Sequence, residues 1–429
     1  MPVPCLHRLL LQQFLKMEFE TFALANGLRV VHRCIDRPVA HCGLFVGVGS
    51  RHEAETEQGL AHYLEHCLFK GTKSRKAYHV LSRMEDVGGE LNAYTTKEET
   101  VIHCSFLDQF YPRAVELMAD IVRNANFPAK EIEKEKEVVI DEINSYRDSP
   151  GESIFDDFED LLFTGHALGR NILGTIESVK ALKREHLLAF VQNHYAVDRM
   201  VFASVGRISS LKLKRILEQH LLELPAKAAP NEASKTWTYR AQEKRVKRTG
   251  YQSHLILGNR AYPAGGRSSR RLLLLNNLLG GPGMNSRLNL NIREKYGFTY
   301  HLESFYQPYR DTGLFGIYLG TDPGSVERSL HLTQKELRKL QDKELGTLQL
   351  SKAKRQLLGQ IALAQENNLA LMLALGKSYL HFDRIDTFAD IRRQIESLTA
   401  EELRNTAQEI FTPEEMSLLI YDSQKPEDG

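Results

Sequence analysis

His62 and His66 stand four residues apart with Glu65 between them, in QGLAHYLEHCLF, residues 58–69. Leu60, Ala61, Leu64, Leu68 and Phe69 recur around them at helical spacing. At about 100° per residue, positions i and i+4 lie roughly 40° apart on one side of a helix. They are separated by about 6 Å along its axis. Two imidazoles on such a face can converge on one metal ion at about 2.0–2.1 Å. Glu65 projects beside them. It cannot easily reach the ion as a third ligand from the same turn, but it can reach a metal-held water as a general base. The plain alternative is two solvent-exposed histidines on a helix, and the pentapeptide alone does not decide between the two.

Two histidines at a catalytic zinc are commonly completed by a carboxylate. The obvious source is IEKEKEVVIDEINSY, residues 132–146, with Glu133, Glu135, Glu137, Asp141 and Glu142. Glu135 and Glu142 are seven apart and nearly eclipse one another on a helix. Glu142 sits among Val138, Val139, Ile140 and Ile143, and a carboxylate drawn into apolar surroundings needs a partner or a metal. It is therefore expected to be the third ligand, with Glu135 behind a ligand or the base as an orienting group. A salt-bridged Glu/Lys face accounts for Glu133 and Glu137 and fits Glu142 poorly.

These residues need elements to hold them. Residues 21–34 alternate around the Asn26–Gly27 turn signal and predict a hairpin. A buried strand is expected at 39–48, a helix from about 57 to 69, and strands near 90–95 and 100–107. Helices follow near 110–124, 129–147, 152–163 and 184–194, then a strand at 199–206 and a helix at 209–222. Residues 225–249 lose apolar period and carry Pro225, Pro230 and the cluster KRVKR, which reads as an interdomain linker with a solvated charge run. Trp237 is expected to anchor that linker to one domain. Beyond it come a strand near 251–258 and a helix at 267–279. Strands at 298–306 and 312–320, helices at 325–343, 347–382 and 400–410, and the closing strand MSLLIY complete the order. The second half repeats the first in outline, which predicts a duplicated α+β domain. Each copy is expected to be a mostly antiparallel sheet with helices on one face. The expected bounds are an N-terminal extension at 1–16, disordered or an artefact of start-codon choice, then a catalytic domain at 17–224. The linker at 225–249 and a second domain at 250–429 follow.

The 429 residues carry 56 Lys+Arg against 55 Asp+Glu, a net charge of +1, so no electrostatic footprint for nucleic acid or anionic lipid is visible. No apolar run approaches the roughly 18 residues of a membrane-spanning helix. The five cysteines, Cys5, Cys34, Cys42, Cys67 and Cys104, form no CxxC pair and are odd in number. Reduced, mostly buried thiols and a bacterial-type cytoplasmic setting are the expectation, with organelle or periplasm left open. Cys67 follows His66 directly, but adjacent helix positions point about 100° apart, so burial is the better reading than metal ligation. His103, His166, His186 and His194 lack a partner at ligand spacing and read as structural.

With these residues in view, the sequence resembles the M16 metallopeptidases, the pitrilysin-like inverzincins, which carry HxxEH. It is most similar to their branch of about 400 residues, bacterial and mitochondrial-processing-peptidase-like. GSRHEAETEQGLAHYLEHCLFKGT, residues 49–72, resembles the family's zinc helix almost throughout. The family places its third ligand 76 residues after the second histidine in an E-x-E-x₆-E run, which Glu133, Glu135 and Glu142 fill here. The residue argument and the resemblance thus select Glu142 independently. GGELNAYTTKEET, residues 88–100, is similar to the family's GGxxNAxTxxxxT strands. That likeness places Asn92 and Ala93 on an edge strand that pairs with extended substrate backbone, a known mode of peptide recognition. From residues alone, Asn92 reads more simply as a turn residue after Gly88–Gly89. HALGRNILGT, residues 166–175, also resembles a family segment and receives no chemistry. LLGGPGMNSRLNLNIREKYGFTY, residues 278–300, resembles the glycine-rich loop and the Arg/Tyr pair that follows it, here Arg293 and Tyr300. The bland reading of that pair is a helix-end arginine and a tyrosine packed on the core.

The resemblance implies a LuxS/MPP-like metallohydrolase fold, one Zn²⁺ per chain on His62, His66 and Glu142, and Glu65 as general base. Arg293 and Tyr300 would lie near the scissile peptide. The corresponding place in the second half reads RRLLLLNNLL, so only the first half is expected to carry metal. Family members of this length enclose a chamber with four domains as dimers, which implies a homodimer, or a heterodimer with a similar chain. The expected activity is endopeptidase cleavage of short or unfolded peptides. The rival readings are a non-catalytic or processing-type subunit of a heteromeric complex, and a zinc-stabilised binding module.

Overall fold

The hairpin around Asn26–Gly27 forms: β1, Glu20–Ala23, pairs antiparallel with β2, Arg29–Cys34, and Gly27 takes φ +91° in the turn. The structure is a computed structural model that describes residues 19–226 and 237–424. The expected extension at 1–16, Cys5, and residues 227–236 of the expected linker lie outside the described residues.

The first sheet continues with β3 (Val39–Val46), β4 (Glu90–Thr95), β5 (Thr100–Leu107) and β6 (Met200–Gly206). Its order is β1-β2-β6-β3-β5-β4, with β2 and β6 parallel and every other pair antiparallel. The second sheet contains β7 (Glu243–Thr249), β8 (Ser253–Ala261), β9 (Thr299–Pro308), β10 (Gly313–Thr321) and β11 (Ser417–Gln424). Its order is β7-β11-β8-β10-β9, again with a single parallel pair, β7 and β11. Setting β7 against β2, β11 against β6, β8 against β3, β10 against β5 and β9 against β4 superposes the two orders. The duplication read from the sequence is therefore a duplication of topology, and the α+β class holds.

Each sheet has one broad face packed by helices of its own half. Leu44, Val46, Ile102 and Phe202 meet Leu60, Leu64, Leu117 and Ile121 in the first, and Leu255, Ile317 and Leu319 meet Leu275, Leu337 and Leu403 in the second. The other face was expected to be bare and is not. On the first sheet, Val31, Phe45, Val101 and Val201 pack against Leu371, Met372 and Leu375 of the helix Asn368–Phe382. On the second, Ile256, Tyr318 and Leu419 pack against Ile154, Phe158 and Leu162 of the helix Pro150–Leu162. Each half thus lends one helix to the other half's sheet. The two compact units are accordingly discontinuous: among described residues, one joins those up to 143 with 171–226 and 362–389. The other joins 144–170 with 237–361 and 390–424. This differs from the unbroken domains expected at 17–224 and 250–429. The physical reason is that β6 and β10 along their whole length, and β3 from Cys42 to Val46, are buried on both faces and need cover on both.

Full burial of Leu371, Met372 and Leu375 stabilises the unit by about 1.5–3 kcal/mol per side chain. Gly376 lies so close to the Phe45 ring that a Cβ there would meet it at 2.2 Å. Gly376→Ala is expected to cost about 1–3 kcal/mol through overpacking, read as a lower urea midpoint at unchanged m-value.

Two local expectations fail. The predicted helix 347–382 is two helices, Thr347–Ala364 and Asn368–Phe382, because Asn367 caps the second by accepting from Ala370 N at 3.0 Å. The KRVKR cluster is largely exposed, as expected of a solvated charge run, but it forms β7, an edge strand, rather than linker. Arg245 pairs with Glu327 and Asp422, while Arg248 pairs with Asp157 and stacks on Tyr421 at 4.8 Å. Charge on an edge strand discourages sheet-to-sheet pairing. Trp237 does anchor its segment, packing on Phe163 at 5.1 Å.

Candidate metal and catalytic site

The histidine helix runs Leu60–Leu68, and seven of its residues are buried. A buried helix start needs partners for its free N–H groups. Glu53 provides them: its carboxylate accepts from Gly59 N at 3.0 Å and Ala61 N at 2.8 Å. Gly59 adopts φ +87°, and a Cβ there would meet the Leu173 carbonyl oxygen at 2.6 Å. The part of HALGRNILGT that follows Asn171 therefore does have a task, which is to close over the start of this helix.

His62 is 8% exposed, which removes the alternative of solvent-exposed histidines. Its ring lies 4.6 Å from that of His66, centroid to centroid. Glu142 comes from the long acidic helix Ala129–Arg147. Its Oε2 is 3.7 Å from His62 Nε2 and 3.6 Å from His66 Nε2. Three donors at about 2.0–2.1 Å from one tetrahedral centre stand about 3.4 Å apart. The separations found are too long for hydrogen bonds and right for ligands round an ion, and two nitrogens with one carboxylate oxygen suit zinc. Among the described residues this is the only such group of three. Zinc is thus a fit for the residues present.

The burial of the two acids is the reverse of the expectation. The Glu142 side chain is 39% exposed, while Glu135 is buried at 5%. Val138 is also exposed, so the apolar neighbours of Glu142 in sequence do not all lie beside it in space. Glu133 and Glu137 are exposed, as expected. Glu135 accepts from His66 Nδ1 at 2.8 Å and pairs with Lys70 Nζ at 2.6 Å. This fixes the His66 ring with Nε2 turned to the metal position, a common arrangement behind ligating histidines. Glu135→Gln is expected to weaken zinc binding by about 10–100-fold, measured by competition with a chromogenic chelator.

Electrostatics follow the geometry. Burial, then the neighbouring His66, pushes the His62 pKa down to about 3, so the ring is neutral and ready to ligate. Burial alone would lower His66, but the hydrogen bond and charge of Glu135, with Glu65 and Glu142, carry it above its ordinary value. Burial opposes ionisation of Glu135, and His66 and Lys70 outweigh it and hold the carboxyl below its usual range. Glu65 is raised, first by burial and further by the Glu142 charge, against the pull of Thr95 and His66. Thr95 Oγ1 donates to Glu65 Oε2 at 2.7 Å. Sequence reading missed Thr95, Glu53 and Lys70 as contributors. Thr95 lies 30 residues along the chain from Glu65, whereas Glu53, six residues before Gly59, and Lys70, one turn beyond His66, were near enough to be found by spacing.

Asn92 and Ala93 lie in the middle of β4, opposite His103 and Ile102, not in a turn. β4 is the edge of the first sheet, so its outer backbone groups are available to a further strand. Cys67 is buried in the core, as expected, and Cys34, Cys42 and Cys104 are also free thiols. His103 packs on the Tyr94 ring, and His166 accepts from Leu168 N. Neither belongs to the metal cluster. Arg293 lies in a six-residue π-helical stretch, Asn289–Glu294, and is exposed. Tyr300 lies on β9 and is 60% exposed, so it is not the core-packed tyrosine of the bland reading. Both belong to the second unit, whereas His62, His66 and Glu142 belong to the first. No described helix is long and apolar enough to cross a membrane.

Residues 29–176 match the family model described as insulinase, peptidase family M16, and residues 181–357 match the one described as peptidase M16 inactive domain. The chain is 31% identical over 404 residues to a Bacillus subtilis protein named uncharacterized zinc protease YmxG, covering 94% of this chain and 98% of that one. It is 33% identical over 399 residues to an uncharacterized zinc protease of Streptomyces coelicolor, covering 90% and 86%. Among solved structures it resembles a peptidase M16 inactive domain from Pseudomonas fluorescens, with TM-score 0.87, 23% identity and coverage of 95% and 100%. It also resembles a protease from Helicobacter pylori, with TM-score 0.86, 22% identity and coverage of 95% and 99%. These two likenesses bear on the fold.

Proposed function

This chain belongs to peptidase family M16, and from that premise we propose that it is a zinc-dependent endopeptidase acting on short or unfolded peptides. The observation that carries the reading is the convergence of His62 Nε2, His66 Nε2 and a Glu142 oxygen on one point, with Glu65 one residue from His66 on the same helix. His62, His66 and Glu142 would hold the ion. Bound there, Zn²⁺ supplies a Lewis acid that acidifies a water and polarises a carbonyl.

Glu65 takes a proton from the attacking water and returns it to the leaving amine. Thr95 holds Oε2 of Glu65, and Oε1 is the oxygen assigned to the transfer. Its raised pKa brings the carboxylate nearer to the proton donor it must match. Extended substrate adds to the outer edge of β4, where Asn92 and Ala93 offer backbone groups. Tyr300 donates to the developing oxyanion and Arg293 contributes charge and a donor fork. Glu135 orients His66. One chain supplies two of four chamber domains, so the reading includes a homodimer. A monomer by light scattering would remove the chamber from it.

The test uses the purified full chain and a quenched fluorescent peptide. One zinc per chain is expected, with cleavage abolished by chelation and restored by added zinc. Cleavage that survives removal of all metal would sink the reading.

A further inference from the structure

Glu99 is a charged residue with almost no access to water, 1% exposed, and it is no part of the metal cluster. It closes the turn between β4 and β5. Its carboxylate bonds His381 Nε2 at 2.6 Å and pairs with Lys377 Nζ at 3.1 Å. Both partners lie on the helix Asn368–Phe382, which the C-terminal half lends to the first sheet. A buried carboxylate is tolerable only while such partners hold it, so the carboxyl group and the helix fix one another.

The turn passes this constraint on. Thr96 N donates to Glu99 O at 2.8 Å, and Glu99 N donates to Thr96 Oγ1 at 3.1 Å. Ser50 N donates to Thr96 O at 3.1 Å and Arg51 N to Lys97 O at 2.9 Å, while Arg51 also pairs with Glu98. A Cβ on Gly49 would meet Thr96 O at 2.1 Å, so the loop lies directly against the turn. Two residues beyond Arg51 in that loop is Glu53, which caps the histidine helix. The residue before the turn is Thr95, which holds Glu65. The turn therefore bears on the histidine helix at two points, its start and its base.

We propose that Glu99, gripped by His381 and Lys377 of the lent helix, is a positioning residue for Glu65, acting through the 96–99 turn and Thr95. This rests on the reading of Glu65 as general base. It goes further in making a C-terminal segment part of the apparatus that aims the base. Loss of the grip lets the turn relax, and Thr95 then ceases to hold Oε2 in one place.

The experiment is a double-mutant cycle in the full chain, with Thr95→Val, Glu99→Gln and the pair, each scored for zinc content, melting temperature, kcat and KM. Glu99→Gln is expected to lower kcat by on the order of 10- to 100-fold through misplacement of the base, with KM and zinc content near those of the wild type. The double variant is expected to be no slower than Thr95→Val alone, because both changes break one route. Independent, multiplying losses in kcat, or a loss confined to melting temperature, would overturn the proposal. If Glu99→Gln does not fold, His381→Asn with Lys377→Met replaces it under the same criteria. Glu65→Gln is run beside them. Should it cleave as fast as the wild type, or should the wild type be inert, the base reading fails by itself. Amide hydrogen exchange then decides the coupling. Faster exchange in Glu99→Gln across both 95–100 and 60–68 upholds it, and a change confined to 368–382 refutes it.

Discussion

Glu65→Gln is expected to keep its zinc and lose peptide cleavage by about 10²–10⁴-fold in kcat, the usual contribution of a positioned general base. The geometry makes this a clean substitution. Glutamine preserves the shape, and Thr95 Oγ1 can still donate to the amide oxygen in place of Glu65 Oε2. The candidate ligand atoms on His62, His66 and Glu142 are untouched. What disappears is a carboxylate able to take and return a proton. Metal analysis and a progress curve on the same preparation check both halves of the expectation. A variant that loses zinc along with activity would recast Glu65 as a ligand or a structural group.

Glu142→Ala is expected to do the opposite, removing the metal from a chain that still folds. Glu142 is half-exposed on the helix Ala129–Arg147, and its loss leaves no cavity of the kind that destabilises a core. The two histidines alone make a poor site. Zinc affinity should fall by more than the roughly 10–100-fold typical of losing a group behind a ligand. Titration with a chelator of known strength measures the drop, and circular dichroism checks the fold. Zinc held as tightly as in the wild type would show that the acidic helix does not supply the third ligand. Since a metal that binds the folded state stabilises it, the wild type should also lose melting temperature on chelation, while Glu142→Ala should respond little.

Much of this site was legible because its parts are local. The i, i+4 histidines need only one helix to face the same way, and the apolar residues around them specify that helix. The acidic run was legible as a helix for the same reason. Glu142 does stand beside the two histidines, but it was reached through a wrong burial argument, since neighbours in sequence were taken for neighbours in space. Glu135 turned out to be the buried acid, held by His66 and Lys70. β7 escaped notice because its charged residues mask the alternation, and its order comes from a backbone ladder with β11, nearly 170 residues away.

The sequence by itself determined the duplicated order of strands and helices and the shared face of His62 and His66 on one helix. Each of these follows from periodicity within a dozen or so residues. Only the tertiary structure decided that the helices Pro150–Leu162 and Asn368–Phe382 change places between halves. It alone revealed that Glu53, Thr95 and Glu99 bear on the histidine helix. Periodicity records that a face must be covered, and says nothing of which segment covers it. That choice is made by complementary shape and charge between residues far apart in the chain, as where Gly376 lets a helix settle on Phe45 and Glu99 finds His381.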